Sequence, residues 1–307
     1  MVEFLTCSQP GSPTKTNMNA LNMTLGTTGS TCTRRAFICR TGLALAGLTL
    51  GTQFSRAAHA AGRKISVGVQ LYSVRDQCKA DLAGTIAAVA AIGYKGVEFA
   101  GYYGHSAEQI RKLLDANGLV ACGSHVPLNS LLGDKLAETI EFNRVIGNKY
   151  LIVPWLQAKS KQEWLDTARV FNELADKLAL HGIYVGYHAH AYDFEKFDGE
   201  LAWDLFFGNT KPDVIMQLDT GNCIAGGADP VAVLRKYPGR ARTIHLKAHA
   251  PDPEAVVGED KTDWQAIFEF CETRGNTEWY IVEHETSKEP LEAVRRSFGA
   301  LKKLGKV

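Results

Sequence analysis

The stretch VGYHAHAYDF, residues 185–194, closes an apolar run with two histidines, His188 and His190. Three later apolar runs close in a similar way: QLDTGN on Asp219, IHLKAH on His245 and IVEHE on Glu283. Imidazole nitrogens and carboxylate oxygens are the usual ligands of divalent ions such as Zn2+ and Mn2+. In an extended chain residues i and i+2 share a face. That rule pairs His188 with His190, Gln217 with Asp219, His245 with Lys247, and Glu283 with Glu285. Each residue alone has a plainer reading. A strand-end histidine can be a hydrogen-bonded structural group, DTGN has the composition of a turn, and Glu283 can pair with a lysine. Together they are harder to explain that way, because a buried Asp and Glu beside imidazoles are costly unless something positive neutralises them. A divalent cation does so. The expected metal ligands are His188, Asp219, His245 and Glu283, with His190 the alternative donor from the first segment.

The elements that must carry these residues follow from periodicity. From Lys64 onward, short runs rich in Val, Ile and Tyr alternate with segments of helical spacing, the pattern of repeated βα units. Strands are expected at 65–71, 96–100, 120–126, 150–154, 183–190, 214–219, 242–248 and 279–285. Between them, DLAGTIAAVAAIG should stop at Gly93 and SAEQIRKLLDANG at Gly118, the second opening on Ser106 as N-cap. Asp229 and Pro230 start a later helix, and the last, about 289–304, shows an apolar stripe at Leu291, Val294, Phe298 and Leu301. Eight βα units in about 245 residues indicate a closed (β/α)8 barrel, a TIM barrel, as a single domain. The rival is an open doubly wound sheet. Its glycine-rich first turn is missing, since the first strand runs into VQLYSVRD. In a barrel the active site lies at the C-terminal strand ends, where all four candidate ligands fall.

Residues 33–60, TRRAFICRTGLALAGLTLGTQFSRAAHA, have paired arginines, an apolar core and a small-residue cleavage site, the layout of a signal peptide. The Thr33-Arg34-Arg35-x-Phe37 start resembles a twin-arginine export signal. The apolar core is too short to span a bilayer, which takes about 20 residues. Residues 1–60 are thus expected to be removed, leaving a barrel of 61–307 that is periplasmic or secreted, without a stable membrane anchor, and partnered by the twin-arginine machinery only in transit. Those 60 residues hold five of the 34 basic and one of the 33 acidic residues, so 29 basic face 32 acidic in the remainder. No basic patch suited to nucleic acid remains. Of seven cysteines, Cys78, Cys122, Cys223 and Cys271 lie beyond the leader, widely spaced and with no CxxC. They read as buried small hydrophobes. Assembly into a homo-oligomer is left open.

The motifs YHAHAYDFE, LDTGN with AGGADPVAVLRKYPGR, IHLKAH, VGEDKTDWQAIF and WYIVEHE span the whole barrel. From about Ser66 to the end the chain resembles the xylose isomerase-like barrel family of sugar phosphate isomerases and epimerases. The resemblance implies one divalent ion, commonly Mn2+ with Zn2+, Co2+ or Mg2+ as alternatives, and carries the ligand roles to Asp219, His245 and Glu283. His188 stands where the best-known epimerases have a glutamate, and Ala248 replaces the Asp of the common HLKD. In relatives the other strand ends contact sugar or assist proton transfer, which points to Gln70, Glu98, His125 and Trp155. Glu259, in the seventh βα loop, is a further substrate-binding candidate.

Such an ion suits chelation of a hydroxy-ketone, with proton loss from the neighbouring carbon. Candidate catalytic groups are Glu98, Glu283, His190 and Lys247. Re-protonation elsewhere gives isomerisation or epimerisation; loss of a β-substituent gives elimination. Export, and the lack of a phosphate cradle, favour a small free keto-sugar or keto-glycoside. The expected activity is therefore a metal-dependent sugar isomerase or epimerase, with a lyase as the alternative. A non-catalytic sugar-binding barrel remains open. An endonuclease acting on abasic DNA, which shares the barrel, would need three metals and more His and Glu ligands.

Overall fold

Both faces of a parallel strand must be covered, so such strands are apolar along their length. The runs marked in the sequence behave this way. The computed structural model describes residues 64–307; the expected leader, 33–60, lies outside them. Eight strands form one parallel sheet: β1 Ser66–Gln70, β2 Gly96–Phe99, β3 Val120–His125, β4 Tyr150–Val153, β5 Tyr184–His188, β6 Ile215–Gln217, β7 Thr243–Leu246 and β8 Trp279–Val282. Their order is β6-β5-β4-β3-β2-β1-β8-β7. The circle is closed between β6 and β7 by one bridge, Asp219 to His245, where His245 N donates to Leu218 O at 2.9 Å. This is the expected TIM barrel, with its seam at two of the candidate ligands.

Outside the strands run α1 Leu82–Ile92, α2 Ala107–Asn117, α3 Lys135–Ile146, α4 Lys161–Ala179, α5 Ala202–Phe207, α6 Pro230–Lys236, α7 Trp264–Thr273 and α8 Pro290–Lys303. Their ends follow local chemistry. Ser106 and Gln109 form a reciprocal capping box on α2. Asp229 caps α6 ahead of Pro230. α1 stops at Gly93, whose φ of 122° is open to glycine alone. On α8 Val294 and Leu301 are buried while Leu291 and Phe298 pack at the margin. No helix among the described residues is long and apolar enough to cross a membrane. All four cysteines beyond the leader are free and buried.

Four expected strands, β5 to β8, are each three residues shorter than the apolar pattern suggests. β5 ends at His188, because Ala189 N turns to Gln217 O and the next turn starts at His190. β6 ends at Gln217, where Leu218 N folds back on Met216 O at 3.0 Å. The structure also adds a short helix Arg75–Ala80 and a small hairpin, Lys196–Phe197 with Glu200–Leu201. Their turn chemistry carries no periodicity to detect.

The inside of the barrel is layered. Its floor is an apolar cluster of Tyr150, Ile152 and Ile215 with Tyr184 and Trp279 against it, separate from the larger core between sheet and helices. Gly96 gives way to that floor: a Cβ there would sit 2.8 Å from the Trp279 ring and 2.9 Å from Cys122 Cβ. Above the floor the inward positions turn polar, at Gln70, Glu98, His188, Gln217 and His245. Overpacking of a filled core costs about 1–3 kcal/mol. Gly96→Ala should therefore lower unfolding free energy by about that amount in urea titration; an unchanged midpoint would contradict a packed floor.

Candidate metal centre

The polar layer is built by strand register. His188 pairs with Gln217, Asp219 with His245, and Ile281 with His245. Four successive strands thus deliver one donor each near a common level. Ligand atoms of His188, Asp219, His245 and Glu283 all lie within 4.8 Å of one another, and all four residues are buried. His188, not His190, belongs to the cluster. A second group, His125 with His188 and His245, shares two of its members with the first.

Both cluster histidines are held through the ring nitrogen that points away. Glu98 Oε2 lies 2.6 Å from His245 Nε2, which leaves Nδ1 facing Glu283 Oε2 at 3.2 Å and Asp219 Oδ2 at 3.9 Å. Gln217 Oε1 lies 3.2 Å from His188 Nδ1, leaving Nε2 towards Glu283 Oε2 at 3.9 Å. A partner on one nitrogen sets the tautomer and frees the other as a ligand. Gln217 is itself fixed, donating through Nε2 to Glu98 Oε1 at 2.8 Å and Thr243 Oγ1 at 3.0 Å. Gln217 has no role in the sequence reading. Its signal there is its place two residues before Asp219.

DTGN is more than a turn. Asp219 Oδ1 accepts from Asn222 N at 2.7 Å and caps the short helix Thr220–Ala225. Thr220 Oγ1 donates to Lys247 O and accepts from Lys247 N, at 2.8 and 2.9 Å. A Cβ on Gly221 would meet Lys247 Cγ at 2.9 Å. Asn222 reaches Ala189 O through Nδ2 and accepts from Lys247 Nζ through Oδ1. The four residues stitch the ends of β5, β6 and β7 together.

The charges are unevenly matched. Burial pushes His245 down, but Glu98 and Glu283 outweigh it and hold the ring up at about 10. Burial pushes Glu98 up, but His125 and His245 bring it to about 2. Burial, helped by the neighbouring Glu283 carboxylate, raises Asp219 against the pull of Lys247 and His245. Glu283 is held well below its usual range: burial opposes this, and His245 and Lys247 prevail. Lys247 is raised, since Asp219 and Glu283 overcome its burial; it also pairs with Glu285. His188 and His190 are pushed down by burial, His190 to about 4. Asp219 Oδ2 is buried with no hydrogen-bond partner. Two carboxylates, one of them with an orphaned oxygen, and two imidazoles fit a divalent cation.

The remaining expected residues fall in different places. Glu98 is fully buried behind the His245 ring, on the side away from the cluster, with Gln70 Nε2 donating to it at 2.8 Å. Gly123 makes room for it, since a Cβ there would lie 2.2 Å from Glu98 Oε1. That position suits orienting His245 and does not suit the expected role as base. Gln70 is fully buried too, its Oε1 accepting from Tyr72 N, so both ends of the amide are engaged away from a substrate. His125 lies against Gln217 and Glu98 at 2.9 and 3.2 Å, its ring stacked on His245. Trp155 stands out from the rim, 51% exposed. Glu259 is tied to Arg296 of α8 and to Val256 N, in its own loop. His190 N donates to Asp193 Oδ2 at 2.7 Å, and Tyr187 Oη donates to Oδ1 at 2.7 Å. Asp193 thus sets the His190 backbone, a role the sequence pattern does not signal.

A model of the xylose isomerase-like TIM barrel family matches residues 86–304. An inosose dehydratase of Clostridium tetani is 27% identical over 146 residues, 41% of this chain and 48% of that enzyme, so the match spans about half of that relative. An inosose dehydratase of Clostridium botulinum is 23% identical over 244 residues, 65% of this chain and 80% of the enzyme. Among solved structures, a sugar phosphate isomerase/epimerase of Parabacteroides distasonis superposes with a TM-score of 0.70 at 24% identity, covering 79% of this chain and 99% of that one. At that identity the likeness speaks for the fold.

Two outcomes follow for stability. Asp219→Asn keeps the cap oxygen and removes one carboxylate from the cluster. Saturating Mn2+ at 100 times its Kd should stabilise the wild type by about 2.7 kcal/mol and the variant by almost nothing, read by thermal unfolding against EDTA. Equal shifts would remove Asp219 from the cation site. Asp193 is raised by burial to about 7. A raised carboxyl adds stability that is complete below its unfolded value and lost as pH rises through its folded value. Between about pH 5 and 8 the wild type should lose about 3 kcal/mol relative to Asp193→Asn; parallel pH profiles would refute the burial effect.

Proposed function

The chain belongs to the xylose isomerase-like TIM barrel family, and on that footing we propose a divalent-cation-dependent enzyme that removes the proton beside the carbonyl of a keto-sugar. The observation that carries this reading is the convergence of His188, Asp219, His245 and Glu283 within 4.8 Å. Those four would hold the ion, of which Mn2+ is the expected one. A cation with N and O ligands supplies Lewis-acid polarisation of the substrate oxygens.

The chain's own groups divide the proton work. Glu283, kept ionised by His245 and Lys247, takes the proton from the carbon. Lys247, kept an ammonium with Nζ 3.8 Å from Glu283 Oε2, steadies the developing oxyanion and gives a proton to a departing β-oxygen. His190 is neutral at pH 7, and its Nδ1 has no protein partner, so it can carry a second proton. Glu98 and Gln217 act through His245 and His188, holding their rings. One carboxylate base beside one ammonium acid supports β-elimination, as do the relatives named inosose dehydratase. The strand-five histidine supports it too, because it removes one of the paired glutamate bases of the best-known epimerases. Isomerisation or epimerisation, the activity expected from the sequence, is the second reading; the free His190 Nδ1 favours it as a site of proton return. With the leader motif, we place this chemistry in the periplasm, on unphosphorylated sugar.

Proton NMR of keto-sugars in D2O with Mn2+ tests the shared step and separates the outcomes. Exchange beside the carbonyl is expected. New vinylic signals mark elimination, and a second set of ring signals without them marks epimerisation. Glu283→Gln should slow exchange by about 10^2- to 10^4-fold. Lys247→Met should keep exchange and slow elimination. No exchange with any ketose by the metal-loaded wild type would contradict the proposal.

A further inference from the structure

Next to the metal centre lies a cavity of about 270 Å3 between the loop after β4 and the turn after β5. Trp155, Lys159, Trp164, Tyr192, Glu195 and Phe197 line it. A run of rings links it to the cluster. His188 and His190 stand perpendicular with centroids 5.0 Å apart, and His190 stacks on Tyr192 at 5.3 Å and 12°. A pocket that holds a whole ligand usually measures about 300–1,000 Å3. This one falls just below that range and opens beside another site, which gives it the size of a subsite.

Its chemistry points to one class of occupant. Trp155 offers an indole face that is half exposed. Tyr192 Oη and Trp164 Nε1 are buried in the wall without a hydrogen-bond partner. The wall is therefore amphipathic, aromatic with polar groups set behind it, and suits an occupant with both an apolar face and hydroxyls. Exposed Lys159 and Glu195 add a donor and an acceptor at the rim. Aromatic faces with charged hydrogen-bonding groups around them suit a pyranose, whose C–H face stacks while its edge hydrogen-bonds. An aromatic group would leave Lys159 and Glu195 at the rim without partners.

We propose that this groove binds a second sugar ring, so that the substrate is a keto-glycoside with its keto-sugar at the cation and its glycosyl partner against Trp155 and Tyr192. The inference rests on the keto-sugar reading of the metal centre and adds the substrate class. In the elimination reading the second sugar is then the leaving group: Glu283 takes the α-proton, the electron pair forms the C=C bond, the C–O bond breaks, and Lys247 protonates the departing oxygen.

Isothermal titration of the Mn2+-loaded protein with D-fructose and with the keto-disaccharides turanose, lactulose and palatinose tests it. At least one disaccharide should bind about tenfold tighter than fructose. Tyr192→Phe and Glu195→Gln, both conservative, should each remove part of that gain and leave fructose unchanged. Fructose binding as well as every disaccharide would overturn the subsite and leave the keto-sugar reading standing. Binding of no sugar at all would overturn both. A gain for 4-nitrophenyl β-D-glucoside over D-glucose, with none for the disaccharides, would assign the groove to an aromatic group and overturn the second sugar.

Discussion

Three carboxylates, Glu98, Asp219 and Glu283, are buried in the top layer of a barrel whose floor is packed by Tyr150, Ile152 and Ile215. Desolvation of each costs several kcal/mol unless a positive group lies close by. Two are provided for. Glu98 faces His245 and His125, and Glu283 faces His245 and Lys247. Asp219 keeps one oxygen on the Asn222 amide; the other has no hydrogen-bond partner and lies 3.9 Å from His245 Nδ1. Between Glu98 and Glu283 the His245 ring is held up at about 10. The Nδ1 of the same ring faces Glu283 and Asp219, where a cation would sit. The remaining polar layer, Glu98 and Gln217 above all, holds the cluster's rings in place.

The fold provides the level at which this happens. Parallel pairing fixes His188 beside Gln217 and Asp219 beside His245. Closure between β6 and β7 runs through that last bridge and through Met216 N donating to Arg240 O, so the barrel seam and the candidate metal centre share Asp219 and His245. DTGN clamps the seam through Thr220 and Asn222. A substitution in this motif therefore acts on ligand geometry and on barrel closure together.

Much of this was legible in the sequence. Eight βα units follow from period alone, and the ligand set follows from four similar strand ends. What period two reports is the face of a strand. It does not report depth, because strands in a barrel are tilted and staggered. Glu98 and Gln70 point inward as expected, yet they end beneath the His245 ring, with the amide of Gln70 committed to Glu98. His190 departs from β5 for a different reason. The apolar pattern continues to residue 190, but Asp193 takes the His190 amide into a turn. Glu259 was read from loop position alone, and its side chain found Arg296. The structure decides such pairings through contacts between elements distant in sequence.

The central claim is that the top of this barrel is built around one divalent cation. Elemental analysis of the wild type and of His245→Ala, both purified without chelators, measures it most directly. The account predicts about one divalent ion per wild-type chain and close to none in His245→Ala. A wild type devoid of divalent metal that takes up none on dialysis against Mn2+, Zn2+ or Co2+ would contradict it.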